Sequence, residues 1–271
     1  MQEVPPMVQH TFLLQTKEFI LSFLFPRQVR TNQNSGLIKL IACLCMAVDH
    51  LGKMCFPNQP WMRLVGRLAF PLFAYGISVG VVYTRDPVRY LKRIVFLALI
   101  SQPLYALGLA HENSAMYAVR FWDNPFKAAW LFYVKSFVTP SILISLASGL
   151  TLLLLLRKKQ WLLAFFVYML LQRFGANLDY GLFGIHLMLL FYVLCGHPAL
   201  AVPAVCIFIA ANSAGYGYVF FGHEFTMRIF AVPAAVFACL PLRSNLHLPR
   251  WFSYGFYPAH LAILAVITKL F

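Results

Sequence analysis

Residues 36–56 read GLIKLIACLCMAVDHLGKMCF, an apolar run that still holds a lysine, an aspartate and a histidine. About 20 apolar residues, rising 1.5 Å each, match the ~30 Å hydrocarbon core of a bilayer. Inside that layer an ionisable side chain costs several kcal/mol, about 2.5–3.5 on insertion scales. Lys39, Asp49 and His50 therefore each require a partner or a task. Lys39 and His50 are eleven residues apart. At 100° per residue that interval closes to within about 20° of whole turns, so both lie on one helix face, roughly 16 Å apart along the axis. Cys43 and Met46 fall in the stripe between them. Asp49 points about 100° away from His50, which excludes a triad-like bond between the two. Its local partner is Lys53 at i+4, and its tertiary partners are Arg63 or Arg67 in the next segment. Asp49 either joins Arg67 merely to fix two helices together or holds it within a site.

The rest of the chain agrees with a membrane reading. Hydrophobic residues make up 61% of 271 and charged residues 11%, with a mean hydropathy of +0.73; water does not support such a composition in a soluble domain. The net charge of +14 is no nucleic-acid footprint, because the basic residues form short clusters between apolar runs, as loops facing an anionic leaflet do. The six cysteines show neither CxxC nor Cys/His spacing, and they read as small buried hydrophobes with no metal site or disulfide. The beginning of the chain, with Glu3, Pro5 and Pro6, does not read as a cleavable signal peptide.

Apolar runs near 37–56, 61–83, 88–109, 138–156, 160–174, 179–195, 198–213, 226–241 and 251–270 predict an all-α polytopic helical bundle of about nine transmembrane helices. Basic loops alternate. Arg27 and Arg30 precede the first span, Arg85, Arg89, Lys92 and Arg93 follow the second, Arg157 to Lys159 follow the fourth, and Arg243 and Arg250 precede the last. Placing them all on one side puts the N-terminus in the cytoplasm. Residues 11–26, interrupted by Lys17 and Glu18, predict an interfacial amphipathic helix within a 1–36 segment. Residues 115–137 mix aromatics, charges and a proline, and are expected on the outer surface. Residues 37–271 form one membrane domain.

Other polar positions interrupt the apolar runs. Tyr257 and His260 share a face of the last span at i, i+3, where His260 is either a satisfied packing residue or part of a site. Asp179 and Tyr180 stand at the mouth of the sixth span, where Asp179 suits a helix N-cap. Gln102 before Pro103 suits a kink or a lining position.

In order along the chain, LIKLIACLCMAVDHLG, GRLAFPLFAYGISVG, DYGLFGIH and FYPAHLAIL resemble the TraX family, named for the conjugative-pilus protein that acetylates the pilin N-terminus. The resemblance covers about residues 36–271. A looser one links Lys39-x10-His50 to membrane acyltransferases of surface glycans, whose first helix carries a basic residue and a histidine at that spacing. Lys39 stands where those enzymes often have arginine, Ser78 falls later, and Arg67 is an addition. The TraX resemblance implies an integral protein of the bacterial inner membrane that uses acetyl-CoA as donor and a pilin or other surface-directed acceptor. Under it, Lys39, with Arg85, Arg89, Lys92 or Arg93, would hold the donor phosphates. His50 would act as general base or transient acetyl carrier. Arg67, held by Asp49, would stabilise the oxyanion, and Asp179, Tyr180, Tyr257 and His260 would line the acceptor side. An O-acetyltransferase of a surface glycan or lipid is the nearest alternative. A secondary transporter would require an inverted repeat and paired broken helices, which the chain does not display. A non-catalytic assembly protein would use the charges for packing alone.

Overall fold

The computed structural model describes residues 35–109, 124–239, 244 and 246–270. The expected interfacial helix at 11–26, the loop arginines Arg27, Arg30, Arg120 and Arg243, and residues 115–123 lie outside the described residues.

Every apolar run read from the sequence is helical. The helices are α1 (Ser35–Met54), α2 (Pro60–Gly66), α3 (Ala69–Tyr83), α4 (Pro87–Gly108), α5 (Pro125–Ser136), α6 (Ile142–Arg157), α7 (Trp161–Phe174), α8 (Gly181–Val193), α9 (Pro198–Ala211), α10 (Val232–Cys239) and α11 (Arg250–Leu270). Two of these segments, Pro60–Tyr83 taken across its break and Pro87–Gly108, are long and apolar enough to cross a membrane. The apolar stretches of six others run to 10–17 residues, and α1 carries Lys39, Asp49 and Lys53. The chain is thus an all-α, membrane-associated bundle. Its exposed side chains agree: Leu162, Phe165, Phe166 and Leu170 on α7, and Phe96 and Ile100 on α4, all face outward. A helix presenting such a face is matched to lipid rather than water.

Local chemistry sets the boundaries. Pro71 has no N–H to offer the carbonyl of Arg67, and the helix breaks there, at Arg67 and Leu68, into α2 and α3. Asp86 accepts from Arg89 N (2.9 Å) and Asn124 from Lys127 N (3.0 Å), capping α4 and α5, each with a proline in its first turn. Within the described part of the 115–137 stretch, residues 124–137, the chain forms the 12-residue α5, packed on α4.

The core lies where α3 meets α6, α8 and α10. Small residues bring these helices together: a Cβ at Gly149 would meet Met188 Sδ at 2.6 Å, and one at Gly184 would meet Phe70 Cζ at 2.6 Å. Ser78 Oγ donates across to the carbonyl of Met188 (2.9 Å). Arg157, at the end of α6, donates to the carbonyls of Val81 and Thr84 (the latter at 3.0 Å), satisfying the last turn of α3. One feature departs from the expected all-helical chain. Ala214–Phe220 and His223–Phe225 pair as an antiparallel hairpin, turned through Phe221 (φ 50°) and Gly222 (φ 78°). Two positive φ values in a two-residue loop suit the twist of the flanking strands.

Candidate donor cavity and histidine pair

α1 crosses the bundle against α2, α3 and α11, and its two polar ends do different work. At one end Asp49 Oδ2 pairs with Arg63 Nη1 at 2.8 Å, and Asp49 Oδ1 lies 3.7 Å from Arg67 Nη2. Arg63 also donates to the Asp49 carbonyl (3.3 Å), and Arg67 Nε to the Arg63 carbonyl (3.4 Å). Both arginines expected as tertiary partners are therefore engaged. Lys53 is not the local partner of Asp49: its ammonium donates to the carbonyl of Leu109 (2.7 Å), just past the end of α4. That carbonyl lacks an intrahelical donor, which makes it the better acceptor for a cation within reach. The ion cluster works at backbone contact distance, since a Cβ on Gly66 would run into the Asp49 side chain.

His50 turns away from this cluster. Its Nδ1 lies 2.7 Å from His260 Nε2, and His260 Nδ1 lies 2.8 Å from the carbonyl of Phe256. The rings stack at 5.0 Å and 12°. A carbonyl only accepts, so His260 Nδ1 carries the hydrogen. In neutral His260 the Nε2 is then the acceptor, and His50 Nδ1–H donates to it. That assignment, made from the hydrogen-bond network, leaves the lone pair of the pair on His50 Nε2, which has no bonding partner among the described residues. His260, expected on the acceptor side, contacts His50 directly. Tyr257 stands edge-on to both imidazoles, with ring centroids 6.4 Å from His50 and 5.5 Å from His260.

A cavity of about 700 Å³ runs from the other end of α1 toward this pair. Lys39, Cys43 and Met46 line it together, so the stripe read from helical spacing is a wall of one space. The remaining wall is mainly apolar and comes from α3, α4, α6 and α11, with Tyr83, Thr84 and Tyr90 at the Lys39 end and Phe256 and Tyr257 beside the histidines. Lys39 is half-buried and makes no hydrogen bond or ion pair among the described residues. Arg85, Arg89, Lys92 and Arg93 are exposed on the turn and first helical turns that carry Tyr90 and Ile94 into the wall. Arg89 is already paired with Asp86 (3.3 Å).

Neither Asp49 nor Arg67 lines the cavity. Asp179 is exposed and does not cap α8; Tyr180 holds the N-cap position without a side-chain bond, and its ring stacks on Phe70 at 3.8 Å. Sequence reasoning missed Tyr90, and it missed the use of Gln102 as a clamp. Gln102 Nε2 donates to the carbonyls of Ser136 (2.6 Å) and Thr139 (2.9 Å), while its Oε1 accepts from Ser141 N (2.9 Å).

Comparison with known proteins agrees with the resemblance. The sequence model of the TraX protein family matches residues 34–268. The probable fimbrial assembly protein FimC, serogroup H1, of Dichelobacter nodosus is 30% identical over 89 residues, 31% of this chain and 36% of that protein. An uncharacterized protein of Rickettsia prowazekii (strain Madrid E) is 38% identical over 48 residues, 18% of this chain and 19% of that protein. The chain thus spans about a third or less of these curated relatives. No solved structure matches.

Proposed function

The chain belongs to the TraX family, and on that premise we propose that it is a membrane-embedded acetyltransferase of the bacterial inner membrane. It moves an acetyl group from cytoplasmic acetyl-CoA to an outward-facing amine, the N-terminus of a pilin or fimbrial subunit. The fimbrial description of the Dichelobacter relative supports that acceptor class. The chain crosses the bilayer about nine times with its N-terminus in the cytoplasm, tilted or broken where its helices are shorter than the ~30 Å core.

The observation that carries the proposal is the unpartnered ammonium of Lys39 at one end of an apolar cavity whose other end is walled by Tyr257, which stands edge-on to both histidines. CoA combines an anionic head with a long slender arm ending in a thioester. Lys39, aided by Arg85, Lys92 and Arg93, meets the phosphates. The arm follows the Lys39, Cys43 and Met46 wall over roughly 16 Å to the depth of His50.

The neutral acceptor amine attacks the thioester carbonyl, and the C=O electrons move onto oxygen. His50 Nε2 takes a proton from the amine nitrogen. As the intermediate collapses, the C–S bond breaks and His50 returns that proton to the departing thiolate, giving the amide and free CoA. His260 holds His50 in the tautomer with a free Nε2, as the orienting group does in a triad.

Thermal unfolding of the full chain in detergent, with and without acetyl-CoA, tests the donor site. At a hundredfold excess over Kd, binding stabilises by roughly 2.7 kcal/mol. Lys39→Ala weakens that stabilisation, whereas His50→Ala retains it and loses transfer. Absence of stabilisation across lipids and pH values rules out the donor reading.

A further inference from the structure

The wall of the donor cavity carries hydroxyls as well as the Lys39 ammonium. Two of them are already used: Thr84 Oγ1 donates to the carbonyl of Asp86 (3.2 Å) and Ser253 Oγ to that of Pro249 (3.4 Å). Tyr257 Oη is cut off from solvent. Tyr90 and Tyr254, which also line the cavity, differ from all three. Neither makes a side-chain hydrogen bond among the described residues, and neither hydroxyl is among the atoms cut off from solvent. A phenol that is reachable and unbonded in an apolar wall is free to donate to an occupant of the space.

Gly80 shows where one of these hydroxyls rests. A Cβ at Gly80 would meet Tyr90 Oη at 2.9 Å and Cζ at 3.2 Å, so the tip of the phenol lies against the backbone of α3, at a position that itself lines the cavity. Tyr254 is the electrostatic neighbour of Tyr90. The Lys39 end of the cavity therefore offers one cation and two neutral donors, all without a hydrogen-bond partner among the described residues. A phosphate, whose oxygens only accept, takes charge from the ammonium and hydrogen bonds from the phenols.

The length of the donor arm identifies which phosphate. From the thioester sulfur to the first phosphorus, a CoA arm runs through about 13 bonds that each project roughly 1.25 Å when extended, or about 16 Å in all. Lys39 and His50 are roughly 16 Å apart along α1. With the thioester at the depth of His50, the first phosphorus reaches Lys39. The nucleotide beyond it passes out of the cavity toward Arg85, Lys92 and Arg93, which are exposed.

We propose that Lys39, Tyr90 and Tyr254 bind the phosphate that joins the pantetheine arm, so that the cavity recognises its donor as a phosphopantetheine thioester and leaves the adenosine part outside. The inference rests on the donor reading of the cavity. The two tyrosines make and break no bond of the substrate. Holding the phosphate at a fixed depth sets how far the thioester reaches toward His50.

The test measures binding of acetyl-CoA, acetyl-4′-phosphopantetheine and acetylpantetheine, which lacks the phosphate, to the full chain in detergent. Wild type binds acetyl-4′-phosphopantetheine within about fivefold of acetyl-CoA and at least about tenfold more tightly than acetylpantetheine, since hydrogen bonds to a charged group are each worth about that factor. Tyr90→Phe and Tyr254→Phe each weaken both phosphorylated ligands by about tenfold. The affinity of either variant for acetylpantetheine stays within about twofold of wild type, which separates lost phosphate contacts from misfolding. Acetylpantetheine binding as tightly as acetyl-4′-phosphopantetheine overturns the phosphate site and, while acetyl-CoA still binds, leaves the donor reading intact. Binding of none of the three overturns both.

Discussion

Gly66→Ala tests the joint between α1 and α2 most directly. A Cβ at position 66 would collide with Asp49 from Cβ out to Oδ1. Because the collision includes Asp49 Cβ, no rotamer of Asp49 relieves it, and α1 and α2 must separate. Overpacking of this kind costs about 1–3 kcal/mol. Separation also degrades the bond between Asp49 and Arg63, a charge-assisted contact worth about 1.5–3 kcal/mol. The side chains of Arg63 and Asp49 are 28% and 17% exposed, so the lower part of that range applies. Replacing a helical glycine by alanine returns about 1 kcal/mol. The net loss is roughly 2–3 kcal/mol, or several degrees in Tm at about 2–4 °C per kcal/mol. Thermal unfolding in detergent measures it, with Gly255→Ala as control, since a Cβ there meets nothing within 4 Å. Gly255→Ala is neutral or slightly stabilising. A Gly66→Ala protein that melts at or above wild type would refute the close approach.

Three further outcomes follow. Gln102→Leu strands the backbone partners of three hydrogen bonds, two of them buried, and lowers stability by about 3 kcal/mol; melting like wild type would show that α5 is not clamped this way. Ser78→Ala loses the bond to Met188 and costs about 0.6–1.7 kcal/mol, the range of interhelical bonds in membranes, read from the same melt. In ¹⁵N spectra of histidine-labelled protein, Nδ1 of both His50 and His260 is protonated and Nε2 of both is not; a proton found on His50 Nε2 in the neutral pair sinks the tautomer assignment.

Helical spacing explains what could be read from one sequence. Lys39, Cys43 and Met46 share a cavity wall because a 100° step is a local property that survives folding. The partners of Asp49 were legible for a related reason: a buried carboxylate at that depth had few cations to choose from. His260 was not legible as a partner of His50, since 210 positions separate them and nothing local to either histidine encodes the contact. The hairpin was hidden because Phe221 occupies a positive-φ turn position that asparagine, aspartate or glycine ordinarily advertises. Ser101 and Ser145, whose buried hydroxyls have no partner among the described residues, were silent too. A serine in an apolar helix reads as back-bonded, and only the packed structure separates Ser101 and Ser145 from Ser78 and Ser148.

The division of labour along α1 follows from the physics of charge in a medium of low dielectric. Arg67 is the oxyanion stabiliser that the family resemblance implies. In the folded chain it lies 3.7 Å from the Asp49 carboxylate and does not line the cavity. An arginine held at that depth without its counter-charge would incur the desolvation penalty of several kcal/mol that the Asp49 pairing offsets. The ion cluster of Asp49, Arg63 and Arg67 ties α1 to the α2 segment, and with it fixes the position of His50.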